Sequence, residues 1–482
     1  MIDLGHLKGQ TIAVFGLGLS GRATVTALTR AGVEVWAWDD QESRRDQLKT
    51  VGTEAVNLYE ADWQKVDALI LSPGIPHSFP TPHPIAEKAQ AANCSIIGDI
   101  ELLAQAQRQS RFIGITGTNG KSTTTALIGH ILKESGIPCA IGGNLGIPAL
   151  DLDSLGPEGI YVLEMSSYQL ELTPSLTFDI AVLLNISPDH LERHGGMEGY
   201  IQAKRRIFKG QSGDQTAIIA VDDQISQDIF DDLASREDRR VVPVSYDLPH
   251  PRGAYVLDGI LFDSQGGAAA KIYDLGGLTN LLGKHNWQNM AAAYAACYAI
   301  GLEQEQIISG LKSFPGLPHR QEQVAIIDGV SFINDSKATN ASATAKALAC
   351  YSHIFWIAGG RSKAGGLDGL EGLFPNIAEV FLIGEAANAF ARRLDGQLNF
   401  QICGDLATAI RAAAKSAHEF SLTRPITEKA DAPVVLLSPA CASFDQFENF
   451  EKRGDAFRQA VRELDTPMPG QNHSTAVAGG AS

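Results

Sequence analysis

The stretch FIGITGTNGKSTTTALIGHIL, Phe112 to Leu132, decides the fold. An apolar run meets a glycine-rich turn, and the turn opens directly into a helical pattern. Strand, turn and helix in that order form a phosphate-binding loop. Gly117 and Gly120 let backbone N–H groups approach an anion, Lys121 adds an ammonium, and the Ser122 hydroxyl follows for Mg²⁺. The strict GxxxxGK[ST] pattern fails by one place: its first glycine should be residue 115, where Ile115 stands, with Gly114 one earlier. The shorter core GTNGKST keeps the chemistry, so triphosphate binding is expected through Gly117, Thr118, Asn119, Gly120, Lys121, Ser122 and Thr123.

Toward the N-terminus, TIAVFGLG, SGRATVTALTRAG, VEVWAWDD and VDALILSPGIP read as βαβ units. GLGLSG, with Gly16, Gly18 and Gly21, matches GxGxxG between a strand and a helix, and Asp39 and Asp40 end the next strand where a ribose-binding acid would sit. Three readings stay open here: NAD, another nucleotide held by its pyrophosphate on the helix N-terminus, or a turn that needs glycine for backbone reasons only.

Toward the C-terminus, GIYVLEMSS, FDIAVLLNIS and TAIIAVDD continue the strand pattern up to the Ala-rich helix around NWQNMAAAYAACYAIG. The FPGLPHR turn then introduces EQVAIIDGVSFINDS, HIFWIAGG, EVFLIGEA and VVLLSPA, again alternating with helices. The 482 residues suit about three domains at roughly 150 residues each. The expected division is 1–109, 110–313 and 314–465, all α/β with mostly parallel sheets, and a disordered tail at 466–482.

Lys and Arg number 39 against 55 Asp and Glu, and the net charge of −16 argues against a nucleic-acid binder. The six cysteines are scattered without a CxxC pair, so they predict reduced, mostly buried thiols. No apolar run is long enough to span a bilayer, and MIDLGHLKGQ lacks the features of a signal peptide, so a cytoplasmic protein is expected.

Glu164 in YVLEMSSYQLE ends a β-rich run, where a carboxylate reaches a phosphate-bound Mg²⁺ directly or through water. His190 and His194 in NISPDHLERHGG are spaced i, i+4, yet HExxH fails because the acid, Glu192, comes two residues after the first histidine. His190 is a candidate metal or phosphate contact, and His194 reads as an ordinary turn residue. Lys204, Arg205, Arg206 and Lys209 read as a solvated helix face, and spacing alone does not single out Lys204.

GTNGKST, EMSSYQLE, NISPDHLERH, HNWQN and LPHR stand in an order and spacing that resembles the Mur ligase family over nearly the whole chain, the tail apart. NDSKATN, Asn334 to Asn340, and SPACASFDQFENFEKRGDAF look like its D-glutamate-adding branch. The resemblance implies a Rossmann-like domain 1–109 for a UDP-linked substrate, a P-loop domain 110–313 for ATP, and a Rossmann-like domain 314–465 for D-glutamate. NAD becomes a minor alternative. The activity implied is an ATP-dependent amide ligase of peptidoglycan precursor synthesis. The alanine carboxylate of UDP-N-acetylmuramoyl-L-alanine becomes an acyl phosphate, D-glutamate attacks, and a tetrahedral intermediate expels phosphate.

By motif match, Lys121, Glu164, His190 and Lys204 are the implied catalytic residues, with two Mg²⁺ ions served by Ser122, Glu164, His190 and a carbamylated Lys204. Asn289, Arg320 and Asp335 match positions for adenine, phosphate and ribose, while His285 and Asn286 are candidate helix caps. Gly18, Leu19, Ser20, Asp39, Asp40, Ser72, Gly74 and Asn144 match the UDP-substrate positions. Lys337, Thr339, Lys363, Ser443 and Phe450 match those that hold D-glutamate. Two departures stand out: Asp40 replaces a Thr of some relatives, and Ala364 replaces a Gly after Lys363. A monomer is expected, with domain closure hinged near Arg108 and FPGLPHR. The competing readings are another amide ligase of the superfamily, such as a folylpolyglutamate synthase, and a nucleotide-binding protein without catalysis.

Overall fold

The computed structural model describes residues 2–144, 146–278, 281–363, 365–423 and 432–465. The tail expected at 466–482 lies outside them, as does Ala364. The chain divides into two compact units, Met1–Thr279 with Lys284–Phe314, and Asn280–Gly283 with Pro315–Ser482.

The first unit holds two sheets. One has four parallel strands, β1 (Thr11–Phe15), β2 (Glu34–Trp38), β3 (Ala68–Leu71) and β4 (Ser95–Ile97), in the order β2-β1-β3-β4. The other has nine: β5 (Arg111–Thr116), β6 (Cys139–Gly143), β7 (Ile160–Glu164), β8 (Ile180–Leu183), β9 (Gly213–Ala220), β10 (Arg239–Tyr246), β11 (Ala254–Leu257), β12 (Ile260–Asp263) and β13 (Ala270–Asp274). Their order is β13-β12-β11-β10-β9-β8-β5-β7-β6. The strands from β6 across to β11 run parallel, and β12 and β13 add an antiparallel edge.

β7 and β8 are buried along their whole length because helices cover both faces of a parallel sheet, which accounts for their unbroken apolar runs. The helix Lys284–Ile300 is buried from Met290 through Cys297, its run of alanines allowing close approach. One hydrophobic core runs from Ile2 and Leu4 through Ile100 and Leu103 to Phe112, Leu163 and Leu183, so the two sheets pack as a single unit. The sequence reading passed over β11 to β13, although Asp258-Gly259, both at positive φ (50° and 78°), is a hairpin signal.

The second unit has one sheet of β14 (Glu322–Ile327), β15 (Val330–Asn334), β16 (Ile354–Gly359), β17 (Ile377–Ile383), β18 (Phe400–Gly404) and β19 (Val434–Leu437), ordered β14-β15-β19-β16-β17-β18. All pairings are parallel except β14 with β15, a hairpin turned at Asp328-Gly329. In both units many of the candidate residues lie in loops after the C-terminal ends of parallel strands, where open α/β sheets bind ligands, while Lys204 and Asn289 stand on helices.

Candidate active site

β5 ends at Thr116, and the loop that follows turns at Gly117 (φ 151°) and Gly120 (φ 86°) before the helix Lys121–Glu134. A Cβ on Gly120 would lie 2.3 Å from Asn289 Oδ1, so both backbone angle and space demand glycine. The Lys121 ammonium folds back and donates to the carbonyls of Gly117 and Thr118, each at 2.9 Å. Asn185, after β8, accepts from the Asn119 N–H and receives the Thr118 N–H on its carbonyl, each at 2.8 Å. Asn289 is buried, and its carboxamide oxygen accepts from the Thr124 hydroxyl. Its Nδ2 donates to Asn286 Oδ1, so its hydrogen bonds are to the helix after the glycine loop and to its own helix.

Glu164, at the end of β7, is buried. Its Oε1 accepts from Asn144 Nδ2 at 2.8 Å, while its Oε2 is buried with no hydrogen-bond partner. An unpartnered buried carboxylate oxygen is expensive to keep, and a cation would satisfy it. Among the described residues, no three His, Cys, Asp or Glu side chains converge. That fits Mg²⁺, which keeps waters and takes one or two carboxylates together with substrate phosphates.

Lys204 departs from the solvated face that the basic run suggested. It is buried, and its ammonium donates to the Gly117 carbonyl at 2.8 Å and lies 4.7 Å over the Tyr200 ring. Burial, reinforced by the charge of Lys121, pushes its pKa down to about 7. Tyr200, which the sequence reading did not select, reaches Thr118 Oγ1 at 3.2 Å and so ties Lys204 to the phosphate loop.

His190 takes a left-handed conformation (φ 51°) at the head of the short helix Leu191–His194, its side chain half exposed and 3.5 Å from Asp189. The turn-residue reading of His194 is corrected: its side chain is fully buried. Nε2 lies 2.9 Å from Ser167 Oγ, Nδ1 lies 3.2 Å from Glu171, and the ring stacks on Tyr168. Burial, helped by Arg193, pushes its pKa down to about 4.

In the four-stranded sheet, Gly16 (φ 93°) closes the first glycine turn, and a Cβ on Gly21 would stand 1.8 Å from the Gly16 carbonyl. Burial alone would raise the pKa of Asp39. The N–H groups of Leu17 and Gln41 and the Arg44 guanidinium outweigh it and hold the carboxylate low. Asp39 thus clamps the turn itself. Asp40 accepts from Tyr59 and faces His83, Ser72 donates to the Gly16 carbonyl, and Leu19 and Gly74 leave open space. Ser20 borders the buried Asp99. Asn144 is bonded to Glu164 by both its side chain and its backbone.

In the second unit, Asp335 accepts from Ser438 Oγ at 2.8 Å and from the Gln321 N–H at 3.2 Å, and burial pushes its pKa up to about 7. His319 and Gln321 flank Arg320 with positive φ, a strained loop after Leu317. Lys337 Nζ lies 3.8 Å over the Phe450 ring, the Thr339 N–H donates to the Lys337 carbonyl, Ser443 is buried, and Lys363 is exposed.

Two family models match: "Mur ligase middle domain" over residues 115–297 and "Mur ligase MurD-like, N-terminal domain" over 10–98, together more than half of the chain. Among curated relatives, the UDP-N-acetylmuramoylalanine--D-glutamate ligase of Rhodospirillum rubrum is 49% identical over 469 residues, 96% of this chain and 97% of the relative. The enzyme of that name from Caulobacter sp. is 48% identical, over 97% of this chain and 99% of the relative. Among solved structures, the UDP-N-acetylmuramate-alanine ligase MurC of Thermotoga maritima superposes with a TM-score of 0.55 at 16% identity, covering 94% of this chain and 99% of that one. The UDP-N-acetylmuramoylalanyl-D-glutamyl-2,6-diaminopimelate--D-alanyl-D-alanyl ligase of Acinetobacter baumannii gives 0.54 at 17%, over 96% of this chain and 92% of that one. At those identities the two structures show a shared fold.

Proposed function

The chain belongs to the Mur ligase family, and from that premise we propose that it joins D-glutamate to UDP-N-acetylmuramoyl-L-alanine, with ATP cleaved to ADP and phosphate. These curated relatives share one activity in their names at 46–49% identity over nearly the whole chain, which sets aside the folylpolyglutamate synthase and non-catalytic readings. We divide the chain functionally at its three sheets, 1–109 for the UDP-linked substrate, 110–313 for ATP and 314–465 for D-glutamate.

The observation that carries the reading is the cluster around the Gly117 carbonyl. It combines a phosphate loop with its lysine, a buried carboxylate with one oxygen unbonded, and a second lysine whose pKa lies near neutrality. A carboxylate is a poor electrophile, and ATP makes it an acyl phosphate. The N–H groups of the Gly117–Ser122 loop and the Lys121 ammonium hold the triphosphate in line and offset repulsion between its oxygens and the attacking carboxylate. Bound Mg²⁺, for which Ser122, Glu164, His190 and Lys204 are the ligands we assign to two ions, supplies further charge neutralisation. Because Lys204 is partly neutral near pH 7, its amine can add CO₂ and release a proton, giving a carbamate that serves as one more carboxylate.

Asn289, Arg320 and Asp335 complete the ATP assignment. Gly18, Leu19, Ser20, Asp39, Asp40, Ser72, Gly74 and Asn144 remain the residues proposed around the UDP-linked substrate, Asp39 acting through the turn it clamps. Lys337, Thr339, Lys363, Ser443 and Phe450 are proposed for D-glutamate, whose two carboxylates need two cationic or N–H sites.

The test is phosphate release from ATP and Mg²⁺ in the presence of UDP-N-acetylmuramoyl-L-alanine, with D-glutamate, L-glutamate or no amino acid. Release requiring both the UDP-linked acceptor and the D-isomer is expected. Equal release with L-glutamate would break the stereochemical assignment, and none with either would break the ligase reading.

A further inference from the structure

The helix Phe450–Asp465 carries a guanidinium in an unusual setting. Arg453 is 1% exposed and has no carboxylate within ion-pair distance among the described residues. Its Nε donates to Ser336 Oγ at 3.0 Å, and its Nη2 to the carbonyls of Ser336 at 2.9 Å and Cys441 at 3.0 Å. Its Nη1 is buried without a partner. A Cβ built on Gly360 would stand 3.2 Å from that nitrogen, so Nη1 lies under the loop after β16. Burying a cation among neutral acceptors, with one nitrogen unsatisfied, is a poor way to gain stability, and an apolar side chain of similar size would do better.

The three segments it reaches lead into the residues assigned to the amino-acid substrate. Ser336 precedes Lys337, Cys441 lies two residues before Ser443, and Gly360 lies three before Lys363. The helix that carries Arg453 begins with Phe450, whose carbonyl accepts from Ser336 Oγ at 2.8 Å. The loops after β16 and β19 are further joined by paired bonds between Arg361 and Ala442.

We propose that Arg453 is a positioning residue for the amino-acid substrate: its buried fork fixes the four segments that form the carboxylate cradle and places a fixed positive charge beneath it. The proposal rests on the D-glutamate reading above. The planar fork sets the spacing of the donors, and the desolvated charge adds attraction for an amino acid with two carboxylates.

The experiment compares wild type with Arg453→Met, Arg453→Lys and Ser336→Ala. It measures KM for D-glutamate, KM for ATP, and acyl phosphate trapped by hydroxylamine when no amino acid is added. Arg453→Met is expected to raise KM for D-glutamate about tenfold or more, with KM for ATP and the trapped acyl phosphate nearly unchanged. Arg453→Lys, which keeps the charge without the fork, should fall between, and Ser336→Ala should move the same constant in the same direction by less. A parallel rise in both KM values, or loss of the trapped acyl phosphate in folded variants, would make Arg453 a support of the fold and overturn the proposal. If Arg453→Met does not fold, Arg453→Lys and Ser336→Ala decide, and an unchanged KM for D-glutamate in both overturns it. Wild type that releases no phosphate in response to D-glutamate breaks the underlying reading instead.

Discussion

The phosphate loop of the first unit and the amino-acid cradle proposed for the second use opposite designs. Gly117 to Ser122 is one contiguous run, closed by its own lysine and braced by Asn185 and Tyr200. The proposed cradle is assembled from four separate segments, with Arg453 bonding to Ser336 and Cys441 from the helix that Phe450 begins. A local motif writes its geometry into consecutive residues. A dispersed one leaves each piece looking like an ordinary loop.

The comparison is tested hardest where the local design has least tolerance. Lys121→Ala should lower the rate of D-glutamate-dependent phosphate release by about 10²–10³-fold, with circular dichroism unchanged, since it removes the charge proposed to offset that of the transferring phosphoryl group. Gly120→Ala should act on both function and fold. Its φ of 86° and the 2.3 Å approach of Asn289 predict a destabilisation of about 1–3 kcal/mol by urea titration, together with weakened ATP binding. A wild-type urea midpoint in that variant would show the loop to be more pliable than its contacts indicate.

The dispersed design should fail by degrees. Lys337→Ala is expected to raise KM for D-glutamate about tenfold and to leave KM for ATP within about twofold, as measured by steady-state phosphate release. An equal rise in both would erase the distinction between the two regions.

The smallest expected effect concerns pH. The pKa of His194 is about 4 in the folded protein, below the ordinary value of 6.5, so the unfolded chain binds more protons between those values. Stability should therefore fall as pH drops from about 6.5 toward 4. His194→Gln should flatten that slope in urea midpoints taken at pH 7 and pH 5, and an unchanged slope would assign it to other groups.

The same contrast governs what could be read from the sequence. Strand, glycine turn and helix at Phe112 to Leu132 announce themselves because glycine, lysine and hydroxyl must be neighbours. Lys204 looked like one of four basic residues on a wet helix, and only the fold shows it buried under Gly117. His194 resembled a turn residue because its partners, Ser167 and Glu171, lie more than twenty residues away. Asp39 sat at the expected strand end, but its carboxylate closes the turn through Leu17 and Gln41. Arg453 carried no local signal at all, since its acceptors are mostly backbone carbonyls from other loops. The β11–β12 hairpin has a local signal in Asp258-Gly259, whose positive φ angles suit a tight turn.

The unbonded Oε2 of Glu164 has a consequence for how this chain is preserved. A buried acceptor left open costs about 1–3 kcal/mol that a better-packed residue would recover. Glu164→Met should therefore melt higher than wild type in the absence of nucleotide while losing catalysis, and Mg²⁺ with ATP should narrow or reverse the gap. Selection for heat resistance alone would discard this glutamate, and its presence marks a trade between durability and turnover.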